Sequence, residues 1–358
     1  MRKLFLFLLL AALVPLSRAE AEAQAAPHTT LRIANYNVEN LYDAVTNQPV
    51  VPLTGEPGDI DFTPQSWRRW TEERYRTKLD HLAWVLGQMK PDICVLEEVE
   101  NRDVVKALSD RAKEAYGWSM PYIVHQDTDD PRGIDVAILS RYPAKKLGYA
   151  GHRGRRGILM AEITVDDTKV YVFGNHWKSQ LGDAAQNIAT RTGEALQLRE
   201  LMLRRLAKDP DATCVACGDF NENLDGPAIM SGLRPANDRK TALDSLAEDV
   251  QEWRPYNLIG DIPPVKRGSF FYARHKIWNT FDGIVVSPAM LRPAEEKGPA
   301  WRVGSPEETI TFHTKEMEFG AEKRPNSYKR VRAEGANEYY TNGYSDHFPV
   351  LTVLHRAP

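Results

Sequence analysis

Short apolar runs that end in polar, chemistry-bearing residues recur along the whole chain. Runs at 31–38, 92–96, 122–125, 134–140, 159–165, 170–173, 214–218, 269–272, 280–287 and 350–354 read as strands, several of them apolar enough for burial on both faces. Helical spacing appears in three places. Tyr75, Leu79, Leu82 and Leu86 lie on one helix face, which Pro91 ends. A short helix is predicted over 104–112, and a long one over 184–207 with Ala195, Leu198, Met202 and Leu206 as its buried stripe. The Pro- and Gly-containing segment 43–64 reads as a surface loop, and 232–268 as mixed and partly irregular. Strands and helices alternate around hairpins, so the expected fold is α/β of the α+β type. Its sheets face each other with helices outside.

Composition narrows the class. A 42% hydrophobic content supports a sizeable core in 358 residues, and a mean hydropathy of −0.47 excludes an integral membrane protein. The net charge of −3 advertises no global basic field, although a local patch suffices to hold phosphates. Three cysteines are an odd count and argue against a disulfide framework. Cys214 and Cys217, three apart in one strand, should face opposite sides, and with Cys94 they read as core thiols. Arg2 and Lys3 precede an apolar stretch at 4–16, with small residues at Ala19, Ala21 and Ala23. That pattern predicts a signal peptide over 1–23, a linker over 24–30 and one domain over 31–356. The expectation is an exported chain, periplasmic or extracellular, monomeric and without a transmembrane segment.

The polar strand ends form an ordered set: Asn35-Tyr36-Asn37-Val38-Glu39-Asn40, Glu97-Glu98, Asn175-His176-Trp177-Lys178, Gly218-Asp219-Phe220-Asn221, Phe281-Asp282-Gly283 and Ser345-Asp346-His347. An Asp-His pair delivers a positioned acid or base, while Asp-x-Asn can grip a water and an anionic oxygen. Alone, Asp219 and Asn221 would read as a turn. In order and wording the set resembles the endonuclease/exonuclease/phosphatase superfamily over roughly residues 31–354. The resemblance implies a four-layered α/β/β/α sandwich of two mixed sheets and hydrolysis of phosphodiesters. It also implies Glu98 as first choice of metal ligand, with Asn37 and Asp346 close by. Strand alternation would point Glu97 to the opposite face from Glu98. Hard oxygen donors suit Mg²⁺, with Mn²⁺ as an option. Asp219 is expected to orient or deprotonate water, and Asn221 to hold a phosphate oxygen. Asp282 should pair with His347, and His176 matches a leaving-oxygen donor of the deoxyribonuclease branch. Arg156, Lys178 and Arg191 are candidates for the phosphate path.

Between Asp282 and Asp346 lies a long insert carrying Lys323, Arg324, Lys329, Arg330 and Arg332 near Tyr339, Tyr340 and Tyr344. Basic residues interleaved with aromatics suit a polyanion with stackable bases. Gly283 and Glu222-Asn223 stand where inositol polyphosphate phosphatases of the superfamily place arginines, which disfavours a phosphoinositide. No apolar, aromatic hairpin for a lipid surface is evident. The reading is a metal-dependent nuclease acting on DNA or RNA outside the cytoplasm. The alternatives are a phosphatase or phospholipase C-type enzyme on a small or lipid phosphoester, and a catalytically silent binding protein.

Overall fold

The computed structural model describes residues 27–358 apart from 53, 329, 332–338 and 341. The expected leader, Lys329 and Arg332 therefore lie outside the described residues, and only the backbone of Arg330, Tyr339 and Tyr340 is described. In chain order the strands are β1 (Thr30–Leu41), β2 (Ile93–Val99), β3 (Tyr122–His125), β4 (Asp135–Ser140), β5 (Ala144–Ala150), β6 (Ile158–Val165), β7 (Thr168–His176) and β8 (Thr213–Asp219). They continue with β9 (Tyr256–Asn257), β10 (Phe270–Tyr272), β11 (Ile277–Asn279), β12 (Asp282–Val286), β13 (Trp301–Val303) and β14 (Ile310–Thr311). After two small pairings, β15 (Glu318–Phe319) with β16 (Arg324–Pro325) and β17 (Arg330–Val331) with β18 (Tyr339–Tyr340), comes β19 (Val350–Arg356).

Two large sheets result. One runs β13-β19-β1-β2-β4-β3 with β14 also on β19, the other β5-β6-β7-β8-β12-β9. Each is mixed: β1–β2 and β7–β8 are parallel, and the other pairs are antiparallel. Leu31, Ile33, Ile93, Val95, Val136 and Ile138 of the first sheet meet Leu159, Ala161, Val172, Val215, Cys217 and Ile284 of the second in a shared dry layer. The opposite face of the first sheet (Ala34, Tyr36, Cys94, Leu96) packs on α1 (Glu72–Met89) and α2 (Arg102–Tyr116) through Leu82, Leu86 and Leu108. The opposite face of the second (Tyr171, Phe173, Cys214, Ala216) packs on α3 (Ala184–Leu206) through Ala195, Leu198, Met202 and Leu206. The molecule is thus a four-layered α/β/β/α sandwich. Full burial of each such aliphatic chain contributes about 1.5–3 kcal/mol.

Local signals set the helix ends. Thr71 caps α1 by accepting from the Arg74 N–H, and the left-handed Lys90 closes it before Pro91. Asn101 caps α2, and Gly117, at φ 67°, ends it. The edge strand β5 escaped the hydrophobic pattern because Lys145 and Lys146 face water on an edge that needs protection. The segment 232–268 holds the end of a π-helical turn (Ile229–Leu233), the short α4 (Arg239–Asp244), 3₁₀ turns and β9.

Cys214 and Cys217 do face different layers, and all three thiols are free and buried. Burial pushes each thiol upward in pKa. A thiol reagent at pH 8 should therefore find none reactive in the native protein and all three after unfolding; a rapidly labelled native cysteine would contradict this packing.

Candidate active site

Strand parity builds the site. In β1 the side chains facing the dry layer are Leu31 and Ile33, and two-residue alternation continues that face as Asn35 and Asn37. In β8 Cys217 is followed on the same face by Asp219, in β7 Val172 by Gly174 and His176, and in β12 Ile284 is preceded by Asp282. Register aligns them: His176 lies opposite Asp219 in the parallel pair, and Asp282 opposite Asp219 in the antiparallel one. The polar row is the end of the inter-sheet core, where the inward face switches from apolar to ionisable. Gly218 permits the tight approach, since a Cβ there would meet the Asn175 carbonyl oxygen at 2.5 Å.

His347 enters this row from the loop before β19. Ser345 Oγ donates to the Asn37 carbonyl (2.6 Å) and accepts the His347 N–H (3.1 Å), so the loop is pinned to β1. The imidazole Nδ1 meets Asp282 Oδ2 at 2.7 Å, while Asn35 donates to the other Asp282 oxygen at 3.3 Å. Nε2 faces Asp219 Oδ2 at 3.8 Å and Asp346 Oδ1 at 4.0 Å. Burial alone would lower the His347 pKa, but Asp282 and Asp219 hold it well above the ordinary value. His176 differs. Its Nε2 lies 3.6 Å from Asp219 and its Nδ1 has no partner. Burial, then the nearby Arg156 and Arg132, push its pKa well below the usual value, so it is neutral. Asp219 accepts from Asn37 Nδ2 (3.0 Å) and the Asn221 N–H (2.8 Å), and burial raises its pKa.

Glu97 and Glu98 divide the work against simple alternation. Glu97 keeps the parity of Ile93 and Val95, is fully buried, and neither of its carboxyl oxygens has a hydrogen-bond partner. Burial, followed by Asp282 and Asp219, raises its pKa well above the ordinary carboxylate value. Glu98 has the opposite parity, yet a left-handed φ of 63° at a bulge in β2 turns its side chain back to the cleft. Glu39, Asn40 and Asn221 also sit at positive φ, at 51°, 61° and 48°. Strand exits of this kind cost backbone energy and gather at functional sites.

Glu98, His176, Asp219, Asn221, Asp346 and His347 line one cleft of about 510 Å³, walled by Phe270, Tyr272 and Phe281. Glu98 and Asp346 offer it hard carboxylate oxygens, which fits a Mg²⁺-like cation that keeps several waters. Asn37 acts otherwise here: its amide nitrogen serves Asp219 and its oxygen accepts the Glu39 N–H, at 3.0 Å. Among the described residues, the one tight trio of metal-capable side chains is His125, Asp127 and Asp135. There Asp135 is occupied by His125 and by the Thr128 N–H and hydroxyl, bracing the 126–134 loop.

Sequence reasoning missed Arg132. Its guanidinium pairs with Glu98 (3.0 Å), donates to Asn40 (2.9 Å) and lines the cleft. The available signal was a lone arginine in a Pro-Arg-Gly turn entering a strand beside Glu97-Glu98. The three cations expected on the phosphate path are instead engaged with protein groups. Arg156 is buried against Asp130 and the carbonyls of His176 and Trp177. Arg191 is buried against Glu222 and the carbonyls of Lys178 and Ser179. Lys178 turns to Ser179 and the Leu181 carbonyl. All three brace the turn after β7. Asn221 likewise donates its amide to the Trp177 carbonyl at 3.1 Å, from within the cleft wall.

Residues 32–356 match the family described as Endonuclease/Exonuclease/phosphatase. Among solved structures, a humanized TDP2 of D. rerio aligns with a TM-score of 0.52 at 17% identity, covering 91% of this chain and 99% of that one. TDP2 of C. elegans, truncated, aligns at 0.51 and 14%, covering 91% and 98%. D. rerio TDP2 complexed with a single-strand DNA product aligns at 0.51 and 16%, covering 92% and 100%. At these identities the likeness shows the fold alone. No curated protein matches the sequence.

The His347–Asp282 pair generates a pH prediction. A histidine whose folded pKa is raised lends stability that is complete below its unfolded value, about 6.5. That contribution is lost as pH rises through the folded value. In chelated protein, NMR of the ring nitrogens should show His347 doubly protonated at pH 8, and Asp282→Asn should bring its titration down towards neutrality. A neutral His347 in the unaltered protein at pH 7 would refute the pairing.

Proposed function

The chain belongs to the Endonuclease/Exonuclease/phosphatase family of metal-dependent phosphoester hydrolases, and from that premise we propose that it is a phosphodiesterase that cleaves nucleic acid. The observation that carries this reading is the convergence of Asp219, neutral His176 and the His347–Asp282 pair on one aromatic-walled cleft. Glu98 and Asp346 would hold a divalent cation, which supplies charge neutralisation at the phosphoryl oxygens. Asp219, oriented by Asn37 and the Asn221 N–H, is placed to take the proton of an attacking water. His347, its Nδ1 fixed by Asp282, can donate from Nε2 to a phosphoryl oxygen as charge builds there. His176, being neutral, has a single N–H to offer the leaving oxygen. Among the described residues Arg132 is the arginine that lines the cleft beside His347, an addition to the Arg156, Lys178 and Arg191 that the sequence suggested.

Nucleic acid is favoured by what borders the cleft. Arg274 and Arg324 share a neighbouring hollow of about 270 Å³ with Phe270, Tyr272 and Asp346, giving cation and ring together. One observation favours a second reading. The β10–β11 hairpin exposes Tyr272, Ile277 and Trp278 beside the site, an aromatic, apolar element that the sequence pattern did not reveal. Such a tip would suit a lipid phosphodiester at an interface. Among the described residues no helix is long and apolar enough to cross a membrane. Action outside the cytoplasm rests on the N-terminal pattern of Arg2, Lys3 and the apolar run 4–16.

Purified protein assayed on plasmid DNA, RNA, a chromogenic bis-phosphodiester and phospholipid vesicles should cut a nucleic acid. Headgroup release with nucleic acid left intact would transfer the assignment to the lipid reading. EDTA should abolish turnover and Mg²⁺ or Mn²⁺ restore it, with Glu98→Gln raising the metal concentration required. Asp219→Asn and His347→Ala should each lower kcat per folded molecule by roughly 100- to 10,000-fold; His347→Ala should also melt earlier, because it leaves Asp282 buried without its partner. Near-normal kcat in either variant would displace the site.

A further inference from the structure

Residues 43–64, which make up most of the connection from β1 to α1, read in sequence as a surface loop. In the structure part of it folds into an aromatic cluster: Phe62 stacks on Tyr42 at 3.7 Å, and Trp70 meets Phe62 and Tyr328 edge-on. Phe62, Trp70 and Tyr328 of this cluster line a hollow of about 280 Å³ together with Trp67, Arg68 and Asp346. Asp346 also lines the catalytic cleft, so the hollow opens beside the scissile position.

Arg68 is the unexplained member. Its guanidinium lies 4.5 Å from the Phe62 ring centre and 4.4 Å from that of Trp67. Its Nε is shut away from water without a hydrogen-bond partner, and it forms no ion pair among the described residues. Burial lowers its pKa, which marks a cation kept at a desolvation cost. The buried arginines Arg156, Arg191 and Arg199 spend their donors on carboxylates and carbonyls. A planar fork left with free donors between two rings suits a phosphate carrying a stackable ring. Trp67 remains 47% exposed although Arg68 lies against its ring, which leaves indole surface for a base.

We propose that this hollow is a second nucleotide subsite, in which Arg68 binds the phosphate next to the scissile one and Trp67 stacks the attached base. The proposal rests on the nucleic-acid reading for its biological substrate, but the anion site itself does not need turnover to be seen. Calorimetry with chelated protein and a nucleoside 3′,5′-bisphosphate should give saturable binding. Arg68→Gln should weaken it roughly ten- to hundredfold, the size of one charged hydrogen-bonded pair, and Arg68→Lys should restore part of it. Trp67→Ala, at an exposed position, should cost affinity for the bisphosphate while leaving inorganic phosphate binding less affected. It also carries the test if Arg68→Gln melts early.

Turnover gives a second arm. The ratio of kcat/KM for a trinucleoside diphosphate to that for a dinucleoside monophosphate should exceed one, and Arg68→Gln should bring it towards one. Absent bisphosphate binding, or equal binding by the original and Arg68→Gln proteins, would overturn the subsite. If no oligonucleotide is cut yet Arg68-dependent binding persists, the nuclease reading fails and the anion site stands. If oligonucleotides are cut and the ratio ignores Arg68, the subsite fails and the nuclease reading stands.

Discussion

Three carboxyl groups, Glu97, Asp219 and Asp282, end the dry layer between the sheets, and the His347 imidazole lies between Asp282 and Asp219. Placing several acids away from water is costly unless some stay protonated or a cation is hydrogen-bonded among them. Both responses appear: burial raises the Glu97 pKa well above its ordinary value, and Asp282 grips His347 at 2.7 Å. This requirement reaches back into the fold. A one-residue slip of any of these strands would turn its ionisable end towards the helices and an apolar residue into the cleft. The continuous apolar faces of β1, β7, β8 and β12 therefore fix more than stability. They set the register in which the site exists.

The strand-end residues were legible in sequence because each apolar run closes in polar residues, and their roles because the ordered set resembles the family; parity accounts for the common face they share. Counting by twos from the apolar centre of a strand leads to Asn35, Asn37, His176, Asp219 and Asp282, and the same count separates Cys214 from Cys217. The count fails where the backbone leaves the extended region. Glu98 reaches the cleft because its φ is 63°, and Glu39, Asn40 and Asn221 leave the extended conformation in the same way. Alternation carries no trace of a left-handed residue that is not glycine, because the conformation is imposed by the surrounding packing. Local rules break at the site itself, which is where a folded protein tolerates strain.

Cations were the least legible part. Arginine offers five donors in a flat fork, so it can tie off several carbonyls in a tight turn as readily as it can meet a phosphate. Arg156 and Arg191 do the first, locking residues 176–179 and with them His176. Arg132 reaches Glu98 and the cleft from a turn 34 residues downstream of Glu98 in the chain (132 − 98 = 34). Nothing in spacing distinguishes these fates. The deciding quantity is how many unpaired carbonyls surround the side chain, which depends on tertiary contacts.

The loop carrying Asp346 shows how one short segment serves both metal and substrate. Asp346 borders the catalytic cleft, the Arg68 hollow and the Arg274–Arg324 hollow, so any shift of this loop alters all three. Its anchoring is correspondingly strong. Lys78 of α1 is fully buried and donates to the Tyr344 carbonyl at 2.6 Å, with its ammonium 5.4 Å from the Tyr328 ring centre. His81, one turn on, meets the Gly343 carbonyl, and Ser345 meets that of Asn37. A buried lysine is an expensive strut, since its charge must be taken from water. It joins α1, whose N-terminal approach carries Trp67 and Arg68, to the loop carrying Asp346 and His347. The same helix thereby fixes the distance between the hollow at Arg68 and the catalytic row, a spacing that a flexible surface loop would leave undefined.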